Sequence, residues 1–274
     1  MRLVTYDPGD GPRAGILDGD RVSAVAGDAP PASVDDLLRA GPLDDVEPAG
    51  QGVLLAEVTL LAPVQRPSKI VCIGLNYGAH AAEAGIDPPE FPTFFAKFAN
   101  ALAAPGAAVP LPSYSEKVDY EAEVAFVIGE TAREVAEGDA LSVIAGYTLL
   151  NDLSARDYQF KTPQWMPGKV FDQSAPCGPA LVTPDEAGPH DAIEIALDRN
   201  GERLQESSTA DLIHSIPALV AQLSMLMTLE PGDLVATGTP AGVGGAREPH
   251  IWLEPGDEVV VSSPQLGRLE TRIG

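Results

Sequence analysis

Short alternating runs of apolar and polar residues fill the first part of the chain, residues 1–62. Turn signals rich in glycine and aspartate at 7–11 and 18–20 separate these runs, as between the strands of a meander. Ser33 is a candidate helix N-cap, and the segment VDDLLRA that follows it ends at Gly41. The pattern therefore predicts a small N-terminal domain with several strands and one helix.

Longer apolar runs follow in residues 67–274, and most of them have the character of strands: KIVCIGLNY, YEAEVAFVIG, GYTLLND, DLVATG and DEVVVSS. The dipeptide Asn200-Gly201 predicts a hairpin between two further strands. The sequence Leu-Glu-Pro-Gly-Asp occurs at 229–233 and at 253–257, each time before an apolar strand. Two similar turns that enter strands indicate a rolled-up β structure.

One strong helix is predicted at 215–228, within this second segment. Ser215 is its candidate N-cap, Pro217 suits its first turn, and apolar residues then recur at helical spacing. We interpret this apolar stripe as core packing rather than as a cofactor site. No Gly-x-Gly-x-x-Gly or phosphate loop opens a helix, which disfavours a nucleotide-binding Rossmann fold.

Composition and charge narrow the function classes. The chain is 45% hydrophobic and 21% charged, which is ordinary for a globular protein, and its formal net charge is -23. A surface this acidic argues against nucleic acid and anionic membranes as partners. Cys72 and Cys177 lack metal-type spacing, so we expect free buried thiols in a reducing cytoplasm. No stretch approaches the roughly 20 apolar residues that cross a bilayer.

Three carboxylates are the main candidates for chemistry. Glu121 and Glu123 lie two residues apart in a stretch with strand character, so their side chains share one face, and Asp152 ends another apolar run. Adjacent carboxylates repel each other unless a cation lies between them. Oxygen ligands of this kind suit a hard divalent cation such as Mg²⁺ or Mn²⁺, with Ca²⁺ as an alternative. The competing interpretation is a solvated strand edge and a turn aspartate.

A second candidate is the pair His80 and Glu83 in GLNYGAHAAE. If a short helix starts near Gly78, the two side chains stand three residues apart on one face, and the carboxylate can orient the imidazole as a general base for water. The alternative is a surface histidine with an incidental ion pair. Prolines within 88–92 suit a loop that closes over a site.

Two lysines and a glycine-rich loop complete the candidates. Lys97 lies in FFAKFAN and Lys169 in PGKVFD, and a lysine in such apolar surroundings is costly to bury without an anionic partner. Each could instead extend its ammonium group to the surface. The loop VATGTPAGVGG at 235–245 offers backbone N–H groups and threonine hydroxyls to a carboxylate, or is an ordinary turn.

Together these segments resemble the fumarylacetoacetate hydrolase family. The matching pieces run in family order from about residue 67 to the end: GLNYGAHAAE, FFAKFANAL, VDYEAEVAFVIG, GYTLLNDLSARDYQ, QWMPGKVFDQSAPCGP, SIPALVAQLSMLMTLEPGDLVATGTPAGVG and WLEPGDEVVV. Residues 1–62 resemble the variable N-terminal domain of its shorter bacterial members. The resemblance implies a mainly β fold of the α+β class, with a mixed β-sandwich roll at 67–274, a small N-terminal α+β domain and a homodimer.

The resemblance also implies roles for individual residues. It implies a Mg²⁺ or Mn²⁺ site at Glu121, Glu123 and Asp152. His80 and Glu83 would activate water on a mobile lid, and Lys169 would stabilise negative charge near the metal. The residues that would line the substrate pocket are Lys97, Arg156, Gln159 and Thr239. Leu75 and Phe98 depart from the family pattern, which often has arginine and proline at these positions, and could alter the pocket.

The chemistry implied is hydrolysis of a C–C bond in a 2,4-dioxo acid, such as fumarylpyruvate, to pyruvate and a carboxylic acid. Water activated by His80 would attack the distal carbonyl, and the metal and Lys169 would hold the charge of the leaving pyruvate enolate. The alternative is a decarboxylase or isomerase that acts on oxaloacetate or a hydroxymuconate-type diacid through the same enolate. A non-catalytic, metal-stabilised scaffold is the remaining hypothesis, which turnover of any dioxo acid would exclude.

Overall fold

A computed structural model of the chain describes residues 1–27 and 31–274. The strands of the N-terminal segment are β1 (Arg2–Asp7), β2 (Arg13–Asp18), β3 (Arg21–Val25), β4 (Pro48–Leu54) and β5 (Thr59–Leu61). The later strands are β6 (Ile70–Gly74), β7 (Thr93–Lys97), β8 (Leu102–Ala103), β9 (Ala108–Val109), β10 (Val118–Asp119), β11 (Ala122–Ile128), β12 (Ile144–Asn151), β13 (Ser154–Ala155), β14 (Ala175–Val182), β15 (Glu194–Arg199), β16 (Glu202–Ser208), β17 (Leu234–Ala236), β18 (Glu258–Ser263) and β19 (Gly267–Ile273). The α-helices are α1 (Val34–Ala40), α2 (Gly78–Glu83), α3 (Arg156–Gln159), α4 (Pro184–Ala187) and α5 (Ile216–Leu226).

The largest sheet has twelve strands and includes both segments of the chain. Its main order is β4-β3-β2-β1-β14-β12-β11-β17-β6-β7, while β5 pairs with β1 and β8 with β14. The N-terminal meander joins this sheet through β1, which pairs antiparallel with β14 so that Leu3 lies opposite Leu181. Most pairings are antiparallel, but β17 and β6 run parallel, which makes the sheet mixed.

A second sheet of five strands, in the order β16-β15-β18-β19-β9, packs against the large one. β12 contacts both β18 and β19, and β11 contacts β15. Side chains of β11 alternate between two buried clusters, since Val124 and Phe126 face one and Ala125 and Val127 face the other. Because both faces of β11 are buried, this strand runs through the core of a mixed β-sandwich, the fold class that the sequence predicts.

Local signals in the sequence coincide with the observed ends of several elements. Ser33 Oγ accepts the backbone N–H of Asp36, and α1 ends directly before Gly41. Asn200 and Gly201 form the turn between β15 and β16, with φ angles of 52° and 82°. An asparagine–glycine pair adopts such left-handed values readily, so the predicted hairpin is confirmed.

The second predicted helix, α5, also begins at its expected cap. Ser215 Oγ accepts the backbone N–H of Ala218. The apolar residues that α5 buries are Ile216, Leu219, Val220 and Leu223. Leu226, which continues the helical spacing of apolar residues in the sequence, is not buried with them, because it lies at the end of the helix and is 50% exposed.

Two features concern the chain as a whole. Cys72 and Cys177 are both free and buried, as expected. Among the residues that the structure describes, no helix is long and apolar enough to cross a membrane.

Candidate active site

Three acidic side chains converge where β11 begins and β12 ends. Glu121 directly precedes β11, Glu123 lies within it, and Asp152 directly follows β12. The two strands are antiparallel, with Ala122 opposite Asn151, so the Asp152 N–H donates to the Glu121 carbonyl at 2.8 Å. One carboxylate oxygen from each acid lies within 4.8 Å of the others. The three acids that the sequence singles out are therefore one buried cluster.

Three cationic side chains contact two of these acids. Lys169 Nζ lies 2.7 Å from Glu121 Oε2 and 2.9 Å from Asp152 Oδ2. Arg156 Nη1 lies 2.6 Å from Glu121 Oε1, and Lys97 Nζ lies 2.8 Å from Asp152 Oδ1. Burial alone would raise the pKa of Glu121, but Lys169 and Arg156 lower it to about 2. Glu121 is therefore ionised at neutral pH.

The remaining acid, Glu123, has no cationic partner among the described residues. Its carboxylate accepts the Gly238 N–H at 2.8 Å. Burial and the neighbouring carboxylates of Asp152 and Glu121 raise the pKa of Glu123 well above its usual range. Asp152 Oδ1 also lacks a well-oriented hydrogen bond in the described chain, although Lys97 is close. A divalent cation that prefers oxygen ligands fits this donor set, because it would satisfy both carboxylates and offset their repulsion.

The histidine–glutamate pair lies on α2, as the spacing predicts. His80 Nδ1 and Glu83 Oε2 are 3.1 Å apart, and both side chains are only 13% and 21% exposed. The Glu83 carboxylate also accepts the Gly242 N–H, at 3.0 and 3.2 Å. Burial alone would raise the pKa of Glu83, but His80 and the Gly242 N–H lower it. The ionised carboxylate therefore holds the imidazole through Nδ1 and leaves Nε2 for another partner.

Two of the acids, Glu121 and Glu123, and this pair face one cavity of about 590 Å³. Its polar lining includes His80, Glu83, Lys117, Glu121, Glu123, Arg156, Asp157, Gln159, Lys169, Thr239 and His250. Its apolar lining includes Ile73, Leu75, Ile86, Phe95, Phe160, Trp165, Val243 and Trp252. An apolar cavity of this size with convergent polar groups is the usual form of a site for a small molecule.

Lys97 occupies a different place from the one expected of a pocket residue. Its side chain is fully enclosed, and its ammonium group contacts Asp152 Oδ1 together with the carbonyl and hydroxyl oxygens of Ser174, at 3.0 and 2.8 Å. Neither Lys97 nor Asp152 is among the residues that line the cavity. Lys97 therefore supports Asp152 from behind the cavity wall, while Arg156, Gln159 and Thr239 do reach the cavity.

Asp119 is a buried residue of the site that the sequence did not single out. Its carboxylate accepts hydrogen bonds from Arg156 Nε at 2.8 Å and from the backbone N–H groups of Tyr120, Gly244 and Gly245 at 2.9, 2.8 and 2.9 Å. Asp119 therefore fixes both Arg156 and the loop that forms part of the cavity wall. An aspartate directly before the apolar run YEAEVAF was the available signal.

Gln205 is the second such residue, and it lies on β16 in the other sheet. Its Nε2 donates to Thr239 Oγ1 and to the Pro240 carbonyl, both at 2.8 Å. Its Oε1 accepts the Ala122 N–H at 2.9 Å. Gln205 thereby ties Thr239 to the start of β11. No local pattern in the sequence connects these distant positions.

Comparisons with known proteins agree with this architecture. The family model described as fumarylacetoacetate (FAA) hydrolase C-terminal matches residues 69–274, and the one described as Rv2993c-like, N-terminal matches residues 1–63. The chain is 42% identical to the mitochondrial oxaloacetate tautomerase FAHD2B of Bos taurus over 221 residues, which are 80% of this chain and 70% of that protein.

Two solved structures resemble the whole chain. The 5-carboxymethyl-2-hydroxymuconate delta-isomerase from Mycobacterium smegmatis has 35% identity and a TM-score of 0.84, covering 100% of this chain and 99% of that one. The fumarylacetoacetate hydrolase from Exiguobacterium antarcticum has 30% identity and a TM-score of 0.85, with the same coverage of 100% and 99%. Since the family model spans most of the sequence and these relatives share the complete fold, the chain belongs to the fumarylacetoacetate hydrolase family.

Proposed function

We propose that the protein is a divalent-metal-dependent tautomerase or isomerase that interconverts the enol and keto forms of a 2-oxo dicarboxylic acid. The observation that carries this proposal is the His80–Glu83 pair, which shares one cavity with the buried acids Glu121 and Glu123. A proton-transferring group beside a charge-stabilising centre is what enolate chemistry requires. Two relatives are named for tautomerisation or isomerisation, the oxaloacetate tautomerase and the 5-carboxymethyl-2-hydroxymuconate delta-isomerase, and these names support the proposal.

The acidic centre would hold the oxo acid end of the substrate. Lys169 gives two of its three N–H groups to Glu121 and Asp152, which leaves one for a ligand in the cavity. A divalent ion held by the three acids would polarise the 2-oxo group as a Lewis acid. Because Lys97, Lys169 and Arg156 already contact the acids, such an ion would make the centre attractive to an anion.

His80 would carry the proton. Ketonisation of the enol breaks the O–H bond at C2 and forms a C–H bond at C3. The protonated imidazole would give its Nε2 proton to C3, since Glu83 occupies Nδ1, and the proton from the C2 hydroxyl would restore the imidazolium through solvent. Lys169 would stabilise the oxygen at C2 while it carries the enolate charge. Glu83 would stabilise the charged ring and keep its orientation.

Hydrolysis of a 2,4-dioxo acid is the second candidate, and the same pair favours it. His80 would take a proton from water, the hydroxide would add to the C4 carbonyl, the C3–C4 bond would break, and C3 would take up a proton to give pyruvate. The contact of Glu83 with Gly242 supports this candidate, because it keeps the base beside the cavity. The structural relative named fumarylacetoacetate hydrolase supports it as well.

One set of assays with added Mg²⁺ or Mn²⁺ separates the candidates. Ketonisation of enolic oxaloacetate is followed by its absorbance, and acetylpyruvate and fumarylpyruvate are assayed for released pyruvate. We expect the protein to accelerate ketonisation and His80→Asn to remove the acceleration. His190→Asn is the control and should keep it, because His190 does not line the cavity. Pyruvate from the dioxo acids would establish a hydrolase, and CO₂ from oxaloacetate a decarboxylase. If none of these acids is converted in a metal-dependent way, the proposal is contradicted.

A further inference from the structure

The cavity beyond the acidic centre has an aromatic wall on the side of Lys169. Both tryptophans of the chain line the cavity. Trp165 lies directly over Gly74, where a Cβ would come within 2.2 Å of the indole, and it meets the Phe95 ring edge-on at 6.0 Å between centroids. The Phe95 ring lies 4.9 Å from Lys169 Nζ, which links Trp165 to the catalytic lysine.

Trp252 forms a second aromatic wall, on the side of Arg156. Its indole lies 3.3 Å from the position that a Cβ would take on Gly245, and 5.4 Å from the ring of His250. The N–H of Gly245 donates to the Asp119 carboxylate, which also binds Arg156. Each of these indoles offers large apolar contact area to a flat, conjugated carbon chain in the cavity.

Lys117 is a cation on this cavity that has no acidic partner in the part of the chain that the structure describes. Its side chain is exposed and lines the cavity. No carboxylate of the described residues lies within 4.0 Å of its Nζ, whereas Lys69, Lys97 and Lys169 each contact at least one. The Asp157 carboxylate, which lines the same cavity, instead accepts a serine hydroxyl at 2.6 Å. In a chain with 40 acidic and 17 basic residues, Lys117 is therefore available to an anionic ligand.

Lys117 lies next to the acidic centre but outside it. Its carbonyl accepts the Arg156 N–H at 2.9 Å. The Arg156 side chain binds Asp119 and Glu121, while the Lys117 side chain contacts neither. The two cations therefore have different roles: the Arg156 guanidinium pairs with carboxylates of the centre, whereas no carboxylate of the described residues pairs with the Lys117 ammonium group on the cavity surface.

We propose that Lys117 is the anion-binding group of a distal subsite, walled by Trp165 and Trp252, for the second carboxylate of a conjugated 2-oxo dicarboxylic acid. The proposal deepens the function given above and rests on it, because the oxo acid end must occupy the acidic centre. Lys117 then determines specificity by selecting diacids over monoacids of the same length. Binding of the far carboxylate by the Lys117 ammonium group is a charge-assisted hydrogen bond, which is stronger than a hydrogen bond between neutral groups.

A pair of ligands that undergo no net conversion tests this role by binding alone. 2-Oxoadipate and 2-oxohexanoate share the oxo acid end and the chain length, and only the first has a second carboxylate. Their affinities are measured by calorimetry with Mg²⁺ present, and tryptophan fluorescence reports contact with the walls. We expect the wild-type protein to bind the diacid about tenfold more tightly and Lys117→Met to abolish that preference.

Lys161→Met is the matched control. Lys161 is also exposed and contacts no carboxylate in the described chain, but it lies over the Tyr158 ring at 3.5 Å and does not line the cavity. This variant should keep the wild-type preference for the diacid. An equal loss of affinity for both ligands in Lys117→Met, or an unchanged preference, would overturn the proposal. Binding of both ligands without any turnover of oxaloacetate or the dioxo acids would instead count against the proposed function alone.

Discussion

Buried charges of opposite sign hold the side chains of the acidic centre in place. Glu121 and Asp152 each contact two cations, and Asp119 binds Arg156 from the other side. Removing one member of such a set leaves the other charge buried and unpaired, which is more costly than losing a surface contact. Glu123 differs from the others, because its only described partner is a backbone N–H.

Glu123→Gln should therefore weaken metal binding without weakening the fold. The amide keeps the size of the side chain but removes the charge that the metal would balance. Replacing a residue that only orients a metal ligand typically costs about 10–100-fold in metal affinity, so loss of a direct ligand should cost at least as much. Titration with Mn²⁺ measures the affinity, and Glu230→Gln on the surface is the control. Unchanged Mn²⁺ affinity in Glu123→Gln would refute the ligand assignment.

Asp119→Asn should destabilise the protein strongly. The amide would leave Arg156 without one of its two carboxylates and would set its own N–H₂ group against the N–H donors of Gly244 and Gly245. Breaking a buried ion pair in this way costs about 3–5 kcal/mol of unfolding free energy. Urea denaturation measures the change. Glu270→Gln, which breaks an exposed pair with Arg268, should have little effect; equal effects would contradict the role of Asp119.

At the level of elements, the turn that leads into β18 has its own stabilising contacts. The turn before β18 contains Asp257, whose carboxylate binds Arg199 Nη2 at 2.7 Å, Asn200 Nδ2 at 2.7 Å and the Glu254 N–H at 2.8 Å. Burial alone would raise the pKa of Asp257, but Arg199 and the other donors lower it below the ordinary value of 3.8. The turn thus connects the β15–β16 hairpin to the start of β18.

The lowered pKa of Asp257 predicts the direction in which the unfolding free energy changes with pH. A carboxylate with a lower pKa in the folded state adds stability above its unfolded value of 3.8, and this stability is lost as the pH falls through the folded value. Asp257→Asn should therefore lower the unfolding free energy at pH 7, by an amount that shrinks as the pH falls below about 4. Urea denaturation from pH 7 to pH 3 measures this, with Asp18→Asn as an exposed control. If the difference in unfolding free energy between the wild-type protein and Asp257→Asn grows as the pH falls, the prediction is contradicted.

Much of the fold could be predicted because its signals are local. Caps at Ser33 and Ser215 and the turn at Asn200-Gly201 depend on neighbouring residues, and the structure confirms all three. The site is less predictable, since its contacts span long distances in sequence. Lys97 meets Asp152 across 55 positions, and nothing near Lys97 shows whether it would face the cavity or support the acid from behind.

At the level of the whole molecule, the acidic surface should oppose folding. The formal net charge of -23 implies repulsion among surface carboxylates, which salt screens over a length of about 10 Å at 0.1 M. We expect the free energy of unfolding by urea to rise between low and moderate KCl concentrations. A fall in stability over this range would mean that ion pairs, rather than repulsion, dominate the electrostatics.

The homodimer remains a prediction of the family resemblance, and sedimentation velocity would test it.

Exchange of the C3 hydrogens of 2-oxoadipate for solvent deuterium, followed by proton NMR, tests enolate formation most directly. This ligand has no bond that hydrolysis would cleave, so exchange reports proton transfer alone. We expect the wild-type protein with Mg²⁺ to accelerate exchange, and His80→Asn and Glu123→Gln each to remove the acceleration. Wild-type exchange no faster than that of Mg²⁺ alone, or acceleration that survives both substitutions, would contradict the assignment of this cavity as an enolate-forming active site.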